Sequence, residues 1–353
     1  MEALNSSKVA ERFPFCHTLP KIELHAHLNG SIRDSTIREL AAAHIASGEL
    51  DSENVFKLTM KGDRSLPECF KLFDLIHRVT TSHEIVARIT REVLEDFERD
   101  NIAYLELRTT PKNRPEIQMT KRTYVEAVLQ AMEGYMRQGQ ESPCSLRNSP
   151  QLLARLILSV DRRETREAAI ETVQLAASMR DRGVVGIDLS GNPSIGEWSI
   201  FEPALQLARD LGLKCTLHCA EVHNVAEADQ MLKFGPDRLG HGCTLDEAQI
   251  RRVAAAGIPV ELCLTSNVKT ESVPSYEAHH LQNMLDLGCK VVICTDDSGV
   301  FSTDLSREYA LAAVAFGLDD RALVALAKQA VDCIFDTSPQ VTAALKMRFA
   351  EFQ

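Results

Sequence analysis

The sequence lacks the features typical of secreted and membrane-bound proteins. None of the ten cysteines forms a C-x-x-C pair, and several lie within apolar runs, where a thiol behaves as a small hydrophobic side chain. The first 15 residues contain no apolar stretch of signal-peptide length, and no later run approaches the roughly 18 apolar residues of a membrane span. We therefore expect a reduced, cytosolic (cytoplasmic) protein with no membrane partner.

Two further absences limit the classes of partner and cofactor. No G-x-G-x-x-G or G-K-[ST] motif follows any predicted strand, which removes the usual reason to expect an open nucleotide-binding sheet. Lys and Arg total 39 against 50 Asp and Glu, giving a net charge of −11. This acidic balance disfavours nucleic acid polymers and anionic membranes as partners. A small anionic substrate held by a few local donors remains compatible with it.

Short segments rich in β-branched or apolar residues recur along the chain, and each ends in polar residues. The stretches between them place apolar residues at intervals of three and four, which is typical of helices that face a core. Strands that alternate with helices predict a parallel sheet. We predict an α/β fold, a closed (β/α)8 TIM barrel, in preference to two doubly wound domains. The segments are 21–28, 102–109, 152–161, 184–191, 214–221, 238–243, 259–267 and 291–297.

The connection between the first two segments is far longer than an ordinary βα loop. It covers about residues 31–100, has the pattern of about three helices, and includes a capping-box sequence from Ser65 to Glu68. We expect this insertion to form a helical lid over the mouth of the barrel. The prediction is a single hydrolase domain over residues 1–353, with the barrel itself at about 20–335.

Histidines gather at the predicted strand ends, which is where barrels of this type build their active sites. Because side chains alternate along a strand, His25 and His27 point the same way and can reach one metal ion. Alone, this pair is equally consistent with two buried structural histidines. With His218 and Asp296 at other strand ends, we predict a site for one metal ion. Zinc is the default for such ligands, although iron, manganese and cobalt also accept nitrogen and oxygen.

A hydrolase also needs groups that handle protons. A zinc ion lowers the pKa of a bound water toward about 7, so that hydroxide is available as a nucleophile at neutral pH. Glu221 follows His218 closely enough to donate a proton to the substrate without being a ligand; a helix first-turn carboxylate is the alternative. His241 ends the next strand and is predicted to orient or deprotonate the water. A buried structural histidine is the alternative there.

Two more residues at strand ends offer polar groups to a substrate. Asp297 follows a predicted ligand, so its carboxylate points elsewhere along the pleat and can accept a hydrogen bond. A buried structural carboxylate is the competing interpretation. Gly191 fits a tight turn in which a backbone amide faces a flat ligand, although an ordinary turn glycine explains it equally well.

The motifs at these strand ends resemble, in the same order, those of the adenosine deaminase branch of the metal-dependent amidohydrolase barrels. The resemblance covers about 20–335 and implies zinc on the four predicted ligands, protonation of purine N1 by Glu221, and assistance to the water by His241. It also implies that Asp297 and the Gly191 amide hold the other ring nitrogens while hydroxide adds to C6. The motifs are His-Ala-His-Leu-Asn-Gly (25–30), Asp-Leu-Ser-Gly (188–191), His-Cys-Ala-Glu (218–221), Gly-His-Gly (240–242), Leu-Thr-Ser-Asn (264–267) and Cys-Thr-Asp-Asp (294–297).

Several motifs are closer to the N6-methyl-AMP deaminases, the adenosine deaminase-like proteins, than to the nucleoside enzymes. The latter usually carry aspartate where Asn29 stands; a carboxylate repels a nearby 5′-phosphate, whereas a neutral amide can donate to it. The resemblance therefore implies hydrolysis of N6-methyl-AMP to IMP and methylamine. Adenosine deamination is the nearest alternative, and a catalytically silent purine-binding barrel is an alternative from another class.

The resemblance also implies which residues line the site for a purine nucleoside monophosphate. Thr109, Thr110 and Lys112 leave a strand end with hydroxyl and ammonium donors that suit a phosphate, although solvated loop residues would give the same pattern. The expected partner is this small molecule alone, and we expect a monomer. The implied substrate-binding residues are His27, Asn29, His77, Thr109, Thr110, Pro111, Lys112, Asp161, Gly191 and Asp297.

Overall fold

A parallel sheet of eight strands that pair in chain order forms the centre of the computed structural model, which describes residues 6–60, 64–141, 152–350 and 352. All seven neighbouring pairs are parallel, as expected when helices connect the strands. The predicted α/β barrel is therefore confirmed. The strands are β1 (Lys21–His27), β2 (Ile102–Thr109), β3 (Leu153–Asp161), β4 (Val184–Ser190), β5 (Lys214–Cys219), β6 (Arg238–His241), β7 (Val260–Leu262) and β8 (Val291–Ile293).

A parallel bridge between Ala26 and Asp296 joins the two edges of the sheet. The backbone N–H of His27 donates to the Asp296 carbonyl at 2.9 Å, and the N–H of Asp296 donates to the His25 carbonyl at 2.7 Å. Both bonds lie at the carboxyl ends of β1 and β8. Closure of the barrel therefore places the histidines of the first strand beside the aspartate that follows the last.

Helices form the outer layer, and those that pack on the sheet present an apolar face to it. In the helix before β2, the buried residues Val86, Ile89, Val93 and Phe97 recur at three- and four-residue intervals. No helix in the described part of the chain is long and apolar enough to cross a membrane. The helices are α1 (Ser6–Thr18), α2 (Asp34–Ala46), α3 (Ser52–Thr59), α4 (Leu66–Val79), α5 (His83–Arg99), α6 (Lys121–Glu141), α7 (Arg166–Ser178), α8 (Trp198–Asp210), α9 (Val225–Phe234), α10 (Glu247–Ala256), α11 (Leu264–Lys269), α12 (Leu281–Asp286), α13 (Ser298–Phe301), α14 (Leu305–Phe316), α15 (Asp320–Gln329) and α16 (Pro339–Ala350).

The described residues of the insertion after β1 form four α-helices, where the sequence pattern predicted about three. Helices α2, α3 and α4 pack on one another, whereas α5 packs on α6 in the outer layer of the barrel. The predicted capping box is present, with the Ser65 N–H donating to Glu68 Oε2 at 2.8 Å. Arg64, just before it, donates to the carbonyls of Gly299 and Val300, both at 3.0 Å. These bonds tie the start of α4 to the rim of the barrel.

Most strands end earlier than predicted; β5 ends at Cys219, β6 at His241 and β8 at Ile293, where the predicted segments end at 221, 243 and 297. The seventh strand ends at Leu262, and α11 begins at Leu264, so residues 265–267 lie on a helix and not at a strand end. All three residues of β7 pair with β8. Among the described residues, α1 precedes the barrel strands and packs on α14.

Candidate metal centre and substrate site

Four side chains converge at the carboxyl-end rim of the barrel. His25, His27, His218 and Asp296 each offer one ligand atom, and these atoms all lie within 4.8 Å of one another. Nε2 of His218 lies 3.1 Å from Nε2 of His25 and 3.2 Å from Nε2 of His27. Oδ1 of Asp296 lies 3.6 Å and 3.4 Å from the same two nitrogens. The four residues predicted as ligands therefore meet in what we name the metal cluster, which could hold a metal ion.

Carboxylates behind two of the imidazoles determine which ring nitrogen faces the cluster. Nδ1 of His25 lies 2.8 Å from Glu261 Oε2, and Nδ1 of His218 lies 2.9 Å from Asp188 Oδ1. Because an ionised carboxylate only accepts hydrogen bonds, Nδ1 carries the proton in both rings. When each ring is neutral, its Nε2 directs a lone pair toward the cluster. This is the donor arrangement that a cation requires, and it is common behind metal-bound histidines.

The two carboxylates belong to a fully buried network of charges inside the barrel. Arg108 donates to Glu261 at 2.8 Å and lies 3.3 Å from Asp188, while Arg238 donates to Glu261 and to Glu106, both at 2.6 Å. Burial raises the pKa of Glu261, but the charges of Arg108 and Arg238 outweigh it and lower the pKa to about 2. The glutamate therefore stays ionised behind His25. We did not predict these supporting residues, although charged side chains inside apolar strands were a signal for them.

The backbone at the rim adopts conformations that side chains rarely accept. Asp296 has φ 65° and His241 has φ 63°, in the left-handed region that non-glycine residues seldom occupy and that concentrates at functional sites. Gly30 is required for a different reason, which is the close approach of Asp297. A Cβ atom there would lie 1.6 Å from Asp297 Oδ1, so the loop after β1 can pass this carboxylate only with glycine.

Glu221 and His241 flank the metal cluster, as the sequence predicted. Nε2 of His241 lies 3.8 Å from Glu221 Oε2. The His241 ring is 4.8 Å from that of His25 and 5.0 Å from that of His218, centre to centre. Burial raises the pKa of Glu221 to about 7. A carboxyl group with a pKa near neutrality can hold and release a proton at physiological pH.

Asp297 and Gly191 line the same rim. Burial, with the adjacent Asp296, raises the pKa of Asp297 well above its usual range. Gly191 has φ 101°, and a Cβ atom there would lie 2.9 Å from Asp161 Oδ1. Asp161 in turn accepts hydrogen bonds from Arg163 at 2.9 Å and 2.6 Å. Glycine is thus required at 191 by both its backbone conformation and its close neighbour.

A second group consists of basic side chains, and we name His77, Lys112, Arg114 and Arg163 the cationic group. Burial, with the charge of Arg114, lowers the pKa of Lys112 to about 8. Burial, then Lys112, Arg163 and Arg114, lower the pKa of His77, so the four side chains are near enough to interact. Lys112 Nζ donates to the Thr80 hydroxyl at 3.2 Å. Arg114 and Arg163 were not among our predicted site residues; Arg163 was left out because such arginines more often cover a helix start or pair with nearby acids.

Asn29 carries a buried polar atom without a partner. Its Oδ1 makes no hydrogen bond within the described residues. The Tyr124 hydroxyl lies 2.7 Å from Thr109 Oγ1 and also contacts the Asn29 side chain. The Thr109 hydroxyl is therefore hydrogen-bonded to Tyr124, and Tyr124 in turn contacts Asn29. Thr110 is partly exposed and Pro111 is buried just after it.

Comparisons with known proteins match this fold. The family model described as Adenosine deaminase matches residues 20–346. The N6-mAMP deaminase of Arabidopsis thaliana is 51% identical over 329 residues, which cover 90% of this chain and 93% of that protein. An apo structure of the N6-methyl-AMP deaminase from Arabidopsis thaliana superposes with a TM-score of 0.90 at 48% identity, covering 97% of this chain and 99% of that one. A structure of Arabidopsis ADAL complexed with IMP gives a TM-score of 0.88 at 50% identity, with 95% and 97% covered. The chain therefore belongs to the adenosine deaminase family.

Proposed function

We propose that this protein hydrolyses N6-methyl-AMP to IMP and methylamine in a metal-dependent reaction. The observation that carries the proposal is the metal cluster flanked by Glu221 and His241, on the same barrel as a cationic group suited to a phosphate. The similar Arabidopsis proteins add support, since one is named an N6-mAMP deaminase and another was solved with IMP, the proposed product.

We assign one zinc ion per chain to the metal cluster. Three imidazole nitrogens and one carboxylate oxygen suit zinc, and His25 and His218 already direct Nε2 lone pairs toward the cluster. Ser266 donates to Asp296 Oδ2 at 2.6 Å, which orients this carboxylate so that Oδ1 faces the imidazoles. When bound, the ion would act as a Lewis acid and lower the pKa of water near its site.

The flanking residues act on the purine ring. Glu221, with a pKa raised to about 7 by burial, would hold a proton and donate it to N1, which makes C6 more electrophilic. Asp297 and the Gly191 amide would bind the other ring nitrogens and orient C6 toward the water. His241 would orient that water. The water oxygen forms the new bond at C6, the bond from C6 to the methylamino nitrogen breaks, and methylamine leaves after taking up a proton.

The cationic group would bind the 5′-phosphate. Within the described residues the Lys112 ammonium has one hydrogen bond, to Thr80, and an ammonium has three donors. The wall of the nucleotide site would be formed by His77, Thr109, Thr110, Pro111, Lys112 and Asp161. Asn29 adds a neutral amide where a carboxylate would repel the phosphate.

A product assay with four substrates tests the proposal. AMP, N6-methyl-AMP, adenosine and N6-methyladenosine are compared in one series, with bound metal measured alongside. We expect the highest kcat/KM for N6-methyl-AMP, with IMP and methylamine as products and about one zinc per chain. Faster turnover of adenosine would contradict the phosphate assignment. Protein without metal or turnover would support a silent purine-binding barrel.

Substitution of Asn29 tests the distinction between nucleotide and nucleoside. Asn29→Asp introduces a carboxylate beside the proposed phosphate site, so the KM for N6-methyl-AMP should rise much more than the KM for N6-methyladenosine. Equal effects on the two substrates would place Asn29 away from the phosphate.

A further inference from the structure

A chain of hydrogen bonds outside the metal cluster ends on His241. The backbone N–H of Leu281 donates to His279 Nδ1 at 3.1 Å. Nε2 of His279 lies 3.0 Å from Asn267 Oδ1, and Nδ2 of Asn267 lies 3.0 Å from His241 Nδ1. His279, Asn267 and His241 are all buried, so water does not compete for these bonds.

Each hydrogen bond in the series from Leu281 to His241 can be donated in only one direction. A backbone N–H can only donate, so Nδ1 of His279 accepts and Nε2 carries the proton of the neutral ring. Burial, with the neighbouring His280, holds the pKa of His279 well below its usual range, which keeps the ring neutral. Nε2 then donates to the Asn267 oxygen, and the Asn267 amide nitrogen donates to Nδ1 of His241. The proton of neutral His241 must therefore reside on Nε2.

His280 holds the backbone of His241 in place. Its Nε2 donates to the His241 carbonyl at 2.8 Å, and its ring stacks on that of His279 with centres 4.1 Å apart. This bond supports a residue whose φ is 63°. The adjacent histidines 279 and 280 thus hold the side chain and the backbone of His241, respectively.

We propose that His279 and Asn267 are positioning residues that set the tautomer of His241, so that it presents an N–H at Nε2. The proposal rests on the proposed function for the role of His241. Nε2 faces the reaction site, 3.8 Å from Glu221 Oε2. His241 therefore donates a hydrogen bond to the oxygen that adds to C6 and stabilises the charge developing on it. A lone pair at Nε2, which a base would need, is absent from this tautomer.

Nitrogen NMR on the full-length protein as purified tests the tautomer directly. The histidines are labelled with 15N, and the signals of His241 are assigned by their loss in His241→Gln. We expect an unprotonated Nδ1 and a protonated Nε2. A proton on Nδ1 of the wild-type ring would overturn the proposal. This measurement does not use turnover, so the two proposals can fail separately. Failure to hydrolyse N6-methyl-AMP would refute the proposed function, whereas the NMR spectrum alone would decide the tautomer.

Variants test whether the hydrogen bonds from His279 through Asn267 set the tautomer of His241. In Asn267→Asp the carboxylate can only accept, so the proton should move to Nδ1 of His241. Loss of one N–H donor at a developing oxyanion lowers kcat by roughly 100-fold, and KM for N6-methyl-AMP should change far less because the ground state does not use this bond. An unchanged tautomer or kcat in folded Asn267→Asp protein would overturn the proposal.

Two substitutions at His279 and one at His280 separate positioning from packing. His279→Leu removes the donor to Asn267, so the amide can rotate and kcat should fall about tenfold. His279→Gln retains an N–H donor and should recover most of that loss. The matched control is His280→Gln, which changes the adjacent ring but not the bond to Nδ1, and His241 should keep its tautomer. A changed tautomer in this control, or no recovery in folded His279→Gln protein, would assign both histidines a packing role only.

Discussion

The metal cluster and the cationic group differ in how the protein satisfies their polar atoms. Behind the metal cluster, Glu261 and Asp188 orient two imidazoles, and Ser266 orients Asp296. In the cationic group, Lys112 has one hydrogen bond in the described structure, and positive charges lie near enough to lower the pKa of His77. In the metal cluster, hydrogen bonds from neighbouring residues already orient the side chains. In the cationic group, basic side chains lie close together, and an anionic ligand would reduce the repulsion between them.

This difference indicates how the two regions would divide the work of catalysis. Groups that act on a transition state must already be oriented, because reorganisation during the reaction raises the barrier. Groups that bind a phosphate need only favour the bound state, and like charges held together are relieved when the anion arrives. Substitutions behind the metal cluster should therefore act on kcat and metal retention, and those in the cationic group on KM.

The largest effect should follow removal of the metal ion. Dialysis against a chelator should abolish turnover, and added zinc should restore it, because no other group of the site can replace a Lewis acid. Far-UV circular dichroism should stay native, since the carboxylates hold His25 and His218 without the ion. Zinc content and turnover are measured on the same samples. Full turnover by metal-free protein would contradict the assignment.

The next largest effect should come from Glu221→Gln. The amide cannot donate the proton of a carboxylic acid to N1, so kcat should fall by about 10²- to 10⁴-fold with little change in zinc content. In the wild type the reactive form is protonated, so kcat/KM should fall as pH rises through the pKa of Glu221. Burial raises that pKa to about 7, and a bound dication would lower it, so the midpoint should lie at or below about 7. A kcat/KM that does not fall above neutrality would contradict the role of Glu221.

An intermediate effect, confined to KM, should follow from Lys112→Met. Loss of one charged hydrogen bond to the phosphate should raise the KM for N6-methyl-AMP by about 10- to 100-fold and leave N6-methyladenosine unaffected. The pKa of Lys112 is lowered to about 8 by burial, so the wild-type KM for the nucleotide should rise above that pH as the ammonium loses its charge. Lys71→Met, on the exposed side of α4, is the matched control. A comparable rise in the KM for N6-methyladenosine would show that Lys112 does not bind the phosphate.

The smallest effect should come from Ser266→Ala. Its hydroxyl orients Asp296 at 2.6 Å, and loss of such a supporting bond typically weakens metal binding by about tenfold or more. The kcat at saturating zinc should change little. Competition with a zinc-binding dye measures the affinity, and Ser178→Ala, exposed on α7, is the control. Unaltered zinc affinity in Ser266→Ala would show that the bond does not position the ligand.

Local patterns account for what could be predicted. Alternation along a strand predicted that His25 and His27 share a face, and helical spacing predicted the outer helices. The same local signals failed where context decides the element. Residues 259–267 were predicted as one strand, yet β7 ends at Leu262 and α11 begins at Leu264. The described part of the insertion forms four α-helices where the pattern predicted about three.

The sequence by itself determined the alternation of strands and helices, the residue types at each strand end and hence the chemistry of the donor atoms, because these properties depend on near neighbours. The tertiary structure decided which distant groups meet: Asp296 beside His25 through closure of the barrel, Glu261 behind His25, and Asn267 on His241. Each of these contacts depends on the register of strands and helices far apart in the chain. No local pattern encodes a register that forms only when the sheet closes.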